Sequence, residues 1–284
     1  MRMLVLGHGY SAGFLTPLLL AEGWQVSGTT RGDTARVAAL GATPLLWPGE
    51  EAAIAEEIAR ADAILISAGP EDGRDPALEA FGPQIAQARP RWIGYLSTTG
   101  VYGDHGGGWI DEETPLAPTT RRGRERVAAE EAWQALSAAH DLPLHVFRLA
   151  GIYGPGRGPF AKVRAGTARR IVKPGQVFSR IHAEDIAQAL LASIRSPSSG
   201  AVYNLCDDDP APPEDVIAHA AELLGLPLPP VEDYATAEMT PMARSFYAES
   251  KRVSNARIKR ELGVCLKYPD YRSGLRALLA RGGD

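Results

Sequence analysis

Seven residues near the start of the chain, Gly7-His8-Gly9-Tyr10-Ser11-Ala12-Gly13, have the make-up of a phosphate-binding turn. They fit G-x-G-x-x-G/A with Ala12 in the third place. Gly7 permits a tight turn, Gly9 lets backbone approach a pyrophosphate with no Cβ in the way, and small Ala12 allows close helix–strand packing. The N–H groups that open the helix, around Tyr10 and Ser11, then meet negative charge. About twenty residues on stands Gly28-Thr29-Thr30-Arg31-Gly32, where an acidic residue would bond a ribose 2′-hydroxyl and repel a 2′-phosphate. Here Thr30 offers a hydroxyl and Arg31 a planar fork instead, the chemistry of a 2′-phosphate site. NADP is therefore expected in preference to NAD, with Asp33 reading as a helix N-cap.

A second cluster, Arg121-Arg122-Gly123-Arg124-Glu125-Arg126, opens a later helix. It is either a solvated face or the seat of an anion, since the helix macrodipole disfavours cations at an N-terminus. Asp207-Asp208-Asp209-Pro210 lacks the spacing of a calcium loop and reads as a turn. The six histidines and two cysteines show no zinc spacing, so no metal is expected. Ser11 and Ser67 lie outside any G-x-S-x-G elbow, which leaves a hydrolase triad without support.

The elements that must position these residues alternate. Strands are expected at 3–6, 24–29, 43–47, 62–67, 92–97 and 144–149. Helices are expected at 11–22, 33–40, 50–60, 76–88 and 122–139. Such alternation predicts βαβ units, right-handed crossovers and an α/β, doubly wound parallel sheet. Past residue 150 the pattern loosens. Helices at 183–195 and 213–224 and a strand at 201–205 still read as sheet and cover, residues 226–250 read as irregular, and helices near 254–262 and 271–281 close the chain. This divides the chain into a dinucleotide-binding core over 1–150 and a mixed region over 151–284. The latter completes the sheet and forms a smaller, interleaved lobe.

The chain has 284 residues, with 30 Lys and Arg against 34 Asp and Glu, a net charge of −4. That balance argues against nucleic acid as a partner. The first apolar run is too short for a signal-peptide core, and no run approaches the roughly 18 apolar residues of a membrane span. With only two cysteines no disulfide framework is expected, and the reading is a cytoplasmic protein without a membrane partner.

Further segments carry a family resemblance. They are Leu96-Ser97-Thr98-Thr99-Gly100-Val101-Tyr102-Gly103, Arg148-Leu149-Ala150-Gly151-Ile152-Tyr153-Gly154-Pro155-Gly156, Ile181-His182-Ala183-Glu184-Asp185-Ile186-Ala187 and Tyr203-Asn204-Leu205. With the glycine turn they resemble the extended and atypical short-chain dehydrogenase/reductases, the NAD-dependent epimerase/dehydratase group. The resemblance implies a Rossmann sheet of about seven strands, a substrate lobe often used for nucleotide sugars, and cofactor contact at Ser67, Ala68 and Gly69. It also implies a catalytic Ser or Thr followed by Tyr-x-x-x-Lys, in which the ammonium lowers the phenol pKa so that Tyr shuttles a proton.

Thr98 takes the hydroxyl position. The pair is absent: Arg126 falls on the lysine and Arg122 on the tyrosine. An arginine keeps its proton at working pH, so Arg122 cannot replace the phenol as an acid/base. Arg126 can still donate to the nicotinamide ribose. Tyr102, Tyr153, His105, Asp104 and Asp111 are the alternative proton donors, and Asp75 lies near where relatives organise a water. Where nucleotide-sugar relatives carry a pyrophosphate-binding arginine this chain has Phe178. Arg180, two residues on and on the same strand face, is the candidate replacement, with Arg157 a second anion candidate. Tyr102, Arg157 and Arg180 are thus the expected substrate contacts, and Thr98, Arg122, Arg126 and Tyr102 the catalytic set. Two functions follow: an NADP(H)-dependent oxidoreductase or epimerase acting on a small polar substrate, or a catalytically silent NADP(H) sensor. By analogy a homodimer could form through the Ala-rich helix at 122–139.

Overall fold

The computed structural model describes residues 1–198 and 200–282. Strand β1 (Arg2–Leu6), α1 (Tyr10–Ala21), β2 (Gln25–Thr30), α2 (Thr34–Ala39), β3 (Thr43–Leu46), α3 (Glu51–Arg60) and β4 (Ala63–Ile66) alternate without interruption. Next come α4 (Pro76–Ala88), β5 (Trp92–Thr98), short β6 (Trp109–Ile110), α5 (Arg121–His140) and β7 (Leu144–Leu149). They are followed by β8 (Gly151–Tyr153), α6 (Phe160–Arg164), β9 (Arg170–Val172), β10 (Arg180–His182), α7 (Ala183–Arg195), β11 (Val202–Leu205) and α8 (Pro213–Leu223). Strand β12 (Val231–Asp233), α9 (Pro241–Phe246), β13 (Arg252–Val253), α10 (Ala256–Leu262) and α11 (Tyr271–Ala280) complete the described chain.

Seven strands form one parallel sheet in the order β11-β7-β5-β4-β1-β2-β3. Side chains alternate across a strand, so β1 and β4 feed two cores at once. Met3, Val5 and Leu65 meet Leu15 and Leu19 of α1 and Ile186 and Leu190 of α7 on one face. Leu4, Leu6, Ile64 and Ile66 meet Ile54 and Ile58 of α3, Phe81 and Ile85 of α4 and Trp133 of α5 on the other. Burial on both faces explains why these strands are nearly continuous apolar runs. The strand order reverses beside β1, and the crevice at the carboxyl ends of β1 and β4 is where such a sheet takes a ligand.

Chain from the second half returns to the sheet as β11 and α7, while α6, α8 and α11 build a separate small core around Phe160, Val216, Tyr271 and Leu275. The expectation of irregular chain over 226–250 is corrected at two points. Val231–Asp233 pairs with β9 far away in sequence, and Pro241–Phe246 is a helix capped by Thr240. Neither announces itself, because the strand owes its form to a distant partner and the helix buries no residue.

Candidate functional site: a dinucleotide cradle beside an arginine-bearing helix

The glycine turn is tied to both flanking strands. The Gly7 amide donates to Thr29 Oγ1 at 2.7 Å, and the His8 amide to the Thr29 carbonyl at 2.8 Å. Gly7 has φ +89°, and a Cβ there would sit 2.6 Å from the Ala68 nitrogen. Only glycine fits. Gly9 differs: its backbone is extended, and an added Cβ would meet nothing nearer than the Gly7 carbonyl at 3.7 Å. Its glycine is spare room on the ligand side. Gly9 also caps α1 without a side-chain hydrogen bond, and the first turn carries no acidic residue. The opening N–H groups are left for an outside anion. Ala12 is fully buried, as the third position requires.

The cradle continues sideways. Ser67 and Ala68 both donate to the Leu6 carbonyl, which presses the loop after β4 against the glycine turn. At its far side a Cβ on Gly69 would come 2.9 Å from Arg126 Nη2. Gly7, Ala68, Gly69 and Arg126 therefore form one continuous rim, and residues far apart in sequence meet along it. These residues fit a dinucleotide: open glycine, unspent amides and a cation at the far end.

Beyond β2, Asp33 caps α2 by accepting from the Arg36 amide at 3.0 Å, so its carboxylate is used locally. Arg31 is exposed and Thr30 half-buried at the strand end. Arg36 was not singled out in the sequence. Its guanidinium donates to the His8 carbonyl and lies 3.7 Å from Asp33, which brings a second arginine to the rim beside Arg31. Spacing five residues past Arg31, across a capped turn, was the available signal.

On the catalytic side, half-buried Thr98 ends β5 and its Oγ1 accepts from the Gly100 amide at 3.1 Å. The hydroxyl proton stays available. Thr120 caps α5, and a Cβ on Gly123 would lie 2.8 Å from the Gly100 carbonyl, so the first turn of α5 is pressed against the turn that follows Thr98. Arg126 Nη1 donates to the Leu96 carbonyl at 2.7 Å and to the Tyr95 hydroxyl at 3.1 Å. Arg122 stands one helical turn earlier on the same face, exposed. Arg126 thus lies against the strand that Thr98 ends, with Arg122 on the same helix face.

Three sequence expectations, for Tyr102, Tyr153 and Arg180, are corrected. Tyr102 is fully buried; its hydroxyl donates to Asn204 Oδ1 at 2.8 Å and accepts from Arg148 Nη1 at 2.9 Å. Burial pushes its pKa up despite Arg148. It holds the fold together and cannot reach a substrate. Tyr153 is buried with its hydroxyl on the Asp270 carbonyl, and burial raises it too. Arg180 gives Nη1 to the Phe178 and Ala211 carbonyls at 2.8 and 3.0 Å, and the carboxylates of Asp207, Asp209 and Glu214 act on it. Its charge is spent inside the lobe. Arg157 stands over the Tyr10 ring, 4.3 Å from the centroid, while the Tyr10 hydroxyl donates to the Pro155 carbonyl at 2.8 Å. This places it at the phosphate turn.

The other donor candidates also have local work. His105 Nε2 faces the Tyr102 carbonyl at 3.1 Å, Asp104 accepts from the Ser250 amide at 2.7 Å, and Asp111 accepts from Glu113 and Thr114. Asp75 caps α4 through the Leu78 amide; burial raises its pKa, opposed in part by that bond, Trp133 and Arg126. His182 is buried with only Nδ1 bonded, to the Glu184 amide, and burial lowers its pKa to about 4.

Beneath Thr98 lies a buried network that sequence reasoning missed. Arg148 Nη2 pairs with Glu130 at 2.7 Å, Ser97 Oγ donates to the same carboxylate, and Arg148 bonds Tyr102. A charge inside the apolar strand Leu144–Leu149 was the signal, because a buried charge needs a partner.

An open phosphate turn at a strand-order reversal, with a strand-end threonine near a basic helix, defines a Rossmann-type dinucleotide-binding fold. The sequence profile of the NAD dependent epimerase/dehydratase family matches residues 84–206. The chain is 30% identical to Protein YeeZ of Escherichia coli K12, over 95% of this chain and 97% of that one. A structure from Silicibacter pomeroyi DSS, of a functionally unknown conserved protein, is 58% identical, covers 100% of this chain and 99% of its own, and superposes with TM-score 0.92. The UDP-glucuronic acid 4-epimerase of Bacillus cereus in complex with NAD, at 15% identity, shares the fold over 98% of this chain and 97% of its own, with TM-score 0.77. The chain belongs to the NAD dependent epimerase/dehydratase family.

Proposed function

We propose that this protein is an NADP(H)-dependent oxidoreductase of the short-chain dehydrogenase type, acting on the carbonyl or carbinol carbon of a small polar substrate. The carrying observation is the continuous rim from Gly7 through Gly69 to Arg126, which ends beside Thr98. Amides at the start of α1 would hold the pyrophosphate, with Arg157 at its flank. Thr30, Arg31 and Arg36 would hold a 2′-phosphate; the carboxylate of Asp33 is turned to its cap and does not oppose this. When bound, the dinucleotide supplies or accepts a hydride at the substrate carbon, while a proton joins or leaves the oxygen.

Thr98 donates to that oxygen. Arg126 holds the ribose edge, and its fixed charge stabilises negative charge developing nearby. Arg122 stands nearer solvent on the same face. With Tyr102 and Tyr153 buried, solvent supplies the proton, and the arginines lower the cost of the oxyanion that awaits it.

The test is incubation with NADPH deuterated on either face of the nicotinamide together with a panel of carbonyl compounds and nucleotide sugars. Label is expected in one product from one face only. Transfer to none would overturn the enzyme reading. Arg31→Ala should weaken NADPH relative to NADH by roughly 10- to 150-fold, nearer the lower figure because the site is exposed. Equal loss for both cofactors would remove the 2′-phosphate assignment. One observation favours a second reading, an NADP(H) sensor: no candidate tyrosine is free to move a proton. Equal affinity for NADP+ and NADPH would end that alternative.

A further inference from the structure

The cations around Thr98 can be accounted for one by one. Arg121 pairs with Glu125 at 2.7 Å and Asp72 at 2.9 Å. Arg124 donates to the Thr119 carbonyl at 2.9 Å. Arg126 is held by the Leu96 carbonyl and the Tyr95 hydroxyl. Lys251, nearly buried, donates to the Gly103 carbonyl at 2.6 Å and to Glu249 at 2.7 Å. Arg180 is enclosed by carbonyls and carboxylates. Arg122 alone in this group forms no hydrogen bond or ion pair among the described residues, and it is exposed.

Its place is fixed although its side chain is free. Gly123, its neighbour, lies against the Gly100 carbonyl, so the backbone at 122 is held two residues from Thr98 by contact rather than by chance of surface. The nearby acids are also used: Glu249 takes bonds from Lys251 and Thr119, and Asp104 accepts from the Ser250 and Gly106 amides. A charged group arriving at Thr98 therefore finds Arg126, whose hydrogen bonds go to a carbonyl and a hydroxyl, and Arg122, which has no partner among the described residues. A guanidinium presents parallel N–H donors that match a planar carboxylate in two-point fashion. One free arginine suits a single negative charge. A phosphate or diphosphate would want a second cation, whereas Arg121 and Lys251 are already paired with carboxylates, Arg180 faces Asp207, and Arg124 is turned to the Thr119 carbonyl.

Resting on the oxidoreductase reading, we propose that Arg122 is the substrate-anchoring residue of this site and that the substrate is a small oxo acid, or the matching hydroxy acid, whose carboxylate it grips while Thr98 takes the reacting oxygen. Arg122 then selects the substrate and does not serve as the proton donor whose position it occupies.

The test is calorimetric titration of the NADP+-loaded protein, in which an oxo acid can bind but cannot be reduced. The probes are pyruvate, acetoacetate and 2-oxoglutarate, each beside its methyl ester, with glyceraldehyde 3-phosphate as the phosphate arm. Binding of NADP+ itself is measured first, so failure of the cofactor reading shows before any acid is added. At least one acid should bind about tenfold or more tighter than its ester, the range of one charge-assisted contact at an exposed site. Arg122→Gln should bring that acid down to the level of its ester with NADP+ affinity unchanged, and Arg122→Lys should restore part of the difference. The proposal is overturned if acid and ester bind alike, if no acid binds at millimolar concentration, if the phosphate arm alone binds, or if Arg122→Gln weakens NADP+ instead.

Discussion

Helices α1 and α5 both open at the carboxyl edge of the sheet, and they open in opposite ways. At α1 the cap is Gly9, no side chain satisfies the first amides, and a Cβ added at Gly9 would meet nothing nearer than the Gly7 carbonyl at 3.7 Å. At α5 the cap is Thr120, which accepts from the Gly123 amide at 3.1 Å, and the turn is pressed onto Gly100. The first helix leaves its opening backbone amides uncapped by any side chain of its own; the second spends its backbone internally and offers side chains. Unsatisfied amides suit the dispersed charge of a pyrophosphate, whereas a positioned guanidinium suits one localised charge. The proposed division between cofactor at α1 and substrate at α5 thus rests on how each helix satisfies its own first turn.

The largest expected effect tests what holds the α5 side in place. Arg148→Met leaves the Glu130 carboxylate buried at 1% exposure without its cation, which should cost about 3–5 kcal/mol in urea unfolding. Adding Glu130→Gln should recover much of it. A neutral single variant would mean that the edge carrying Thr98 is not supported by the buried pair. Next in size is a contrast within the α1 turn. Gly7→Ala must adopt a left-handed backbone, costing roughly 1–2 kcal/mol, and also drives a Cβ into Ala68. Gly9→Ala, on extended backbone with open space, should leave stability within about 0.5 kcal/mol yet weaken NADPH. If Gly9→Ala binds NADPH as the parent does in a fluorescence titration, the open glycine is not a cofactor surface.

These two glycines also mark how far the sequence can be read. Both fall in one motif, and the motif correctly placed strand, turn and helix, because Gly7 and Ala12 answer local demands. Short continuous apolar runs located the sheet for a similar reason: β1, β4, β5 and β7 are buried on both faces. The roles of Arg180 and Tyr102 were not legible. Their types suggested ligand contact, but their partners (Ala211, Asp207 and Asn204) lie dozens of residues away and only the fold brings them near. Arg122 and Arg126 stand between these cases. Helical spacing set them on one face, while the fact that one is bonded and the other free depends on Leu96 and Tyr95 in another strand.

A smaller effect probes the α5 cap. Thr120→Ala should lower stability by about 1 kcal/mol, with Thr120→Ser close to the parent. No equivalent substitution exists at α1, whose cap has no side chain to remove. If thermal melting shows no loss, the amide of Gly123 finds another acceptor and the contrast between the helices weakens.

The smallest expected effect is in pH, and it too should belong to α1 alone. His8 is 2% exposed, with Nε2 2.8 Å from Thr16 Oγ1; that hydroxyl donates onward to the Ala12 carbonyl, so Nε2 carries the ring proton. Nδ1 is buried without a partner. Burial, then the charge of Arg36, holds the pKa below the ordinary 6.5. Between that lowered value and 6.5 the unfolded chain binds a proton that the folded ring refuses, so stability falls as pH drops through this window. His8→Gln does not titrate and should lose less melting temperature over the same interval. Some acid sensitivity should persist, because buried His145 and His182 are shifted the same way. The first turn of α5 carries arginines and Glu125 but no histidine, so the Thr120 and Arg122 variants should keep the parental slope. If His8→Gln keeps it as well, the acid limb belongs to His145 and His182, and the start of α1 is no more sensitive to protons than the start of α5.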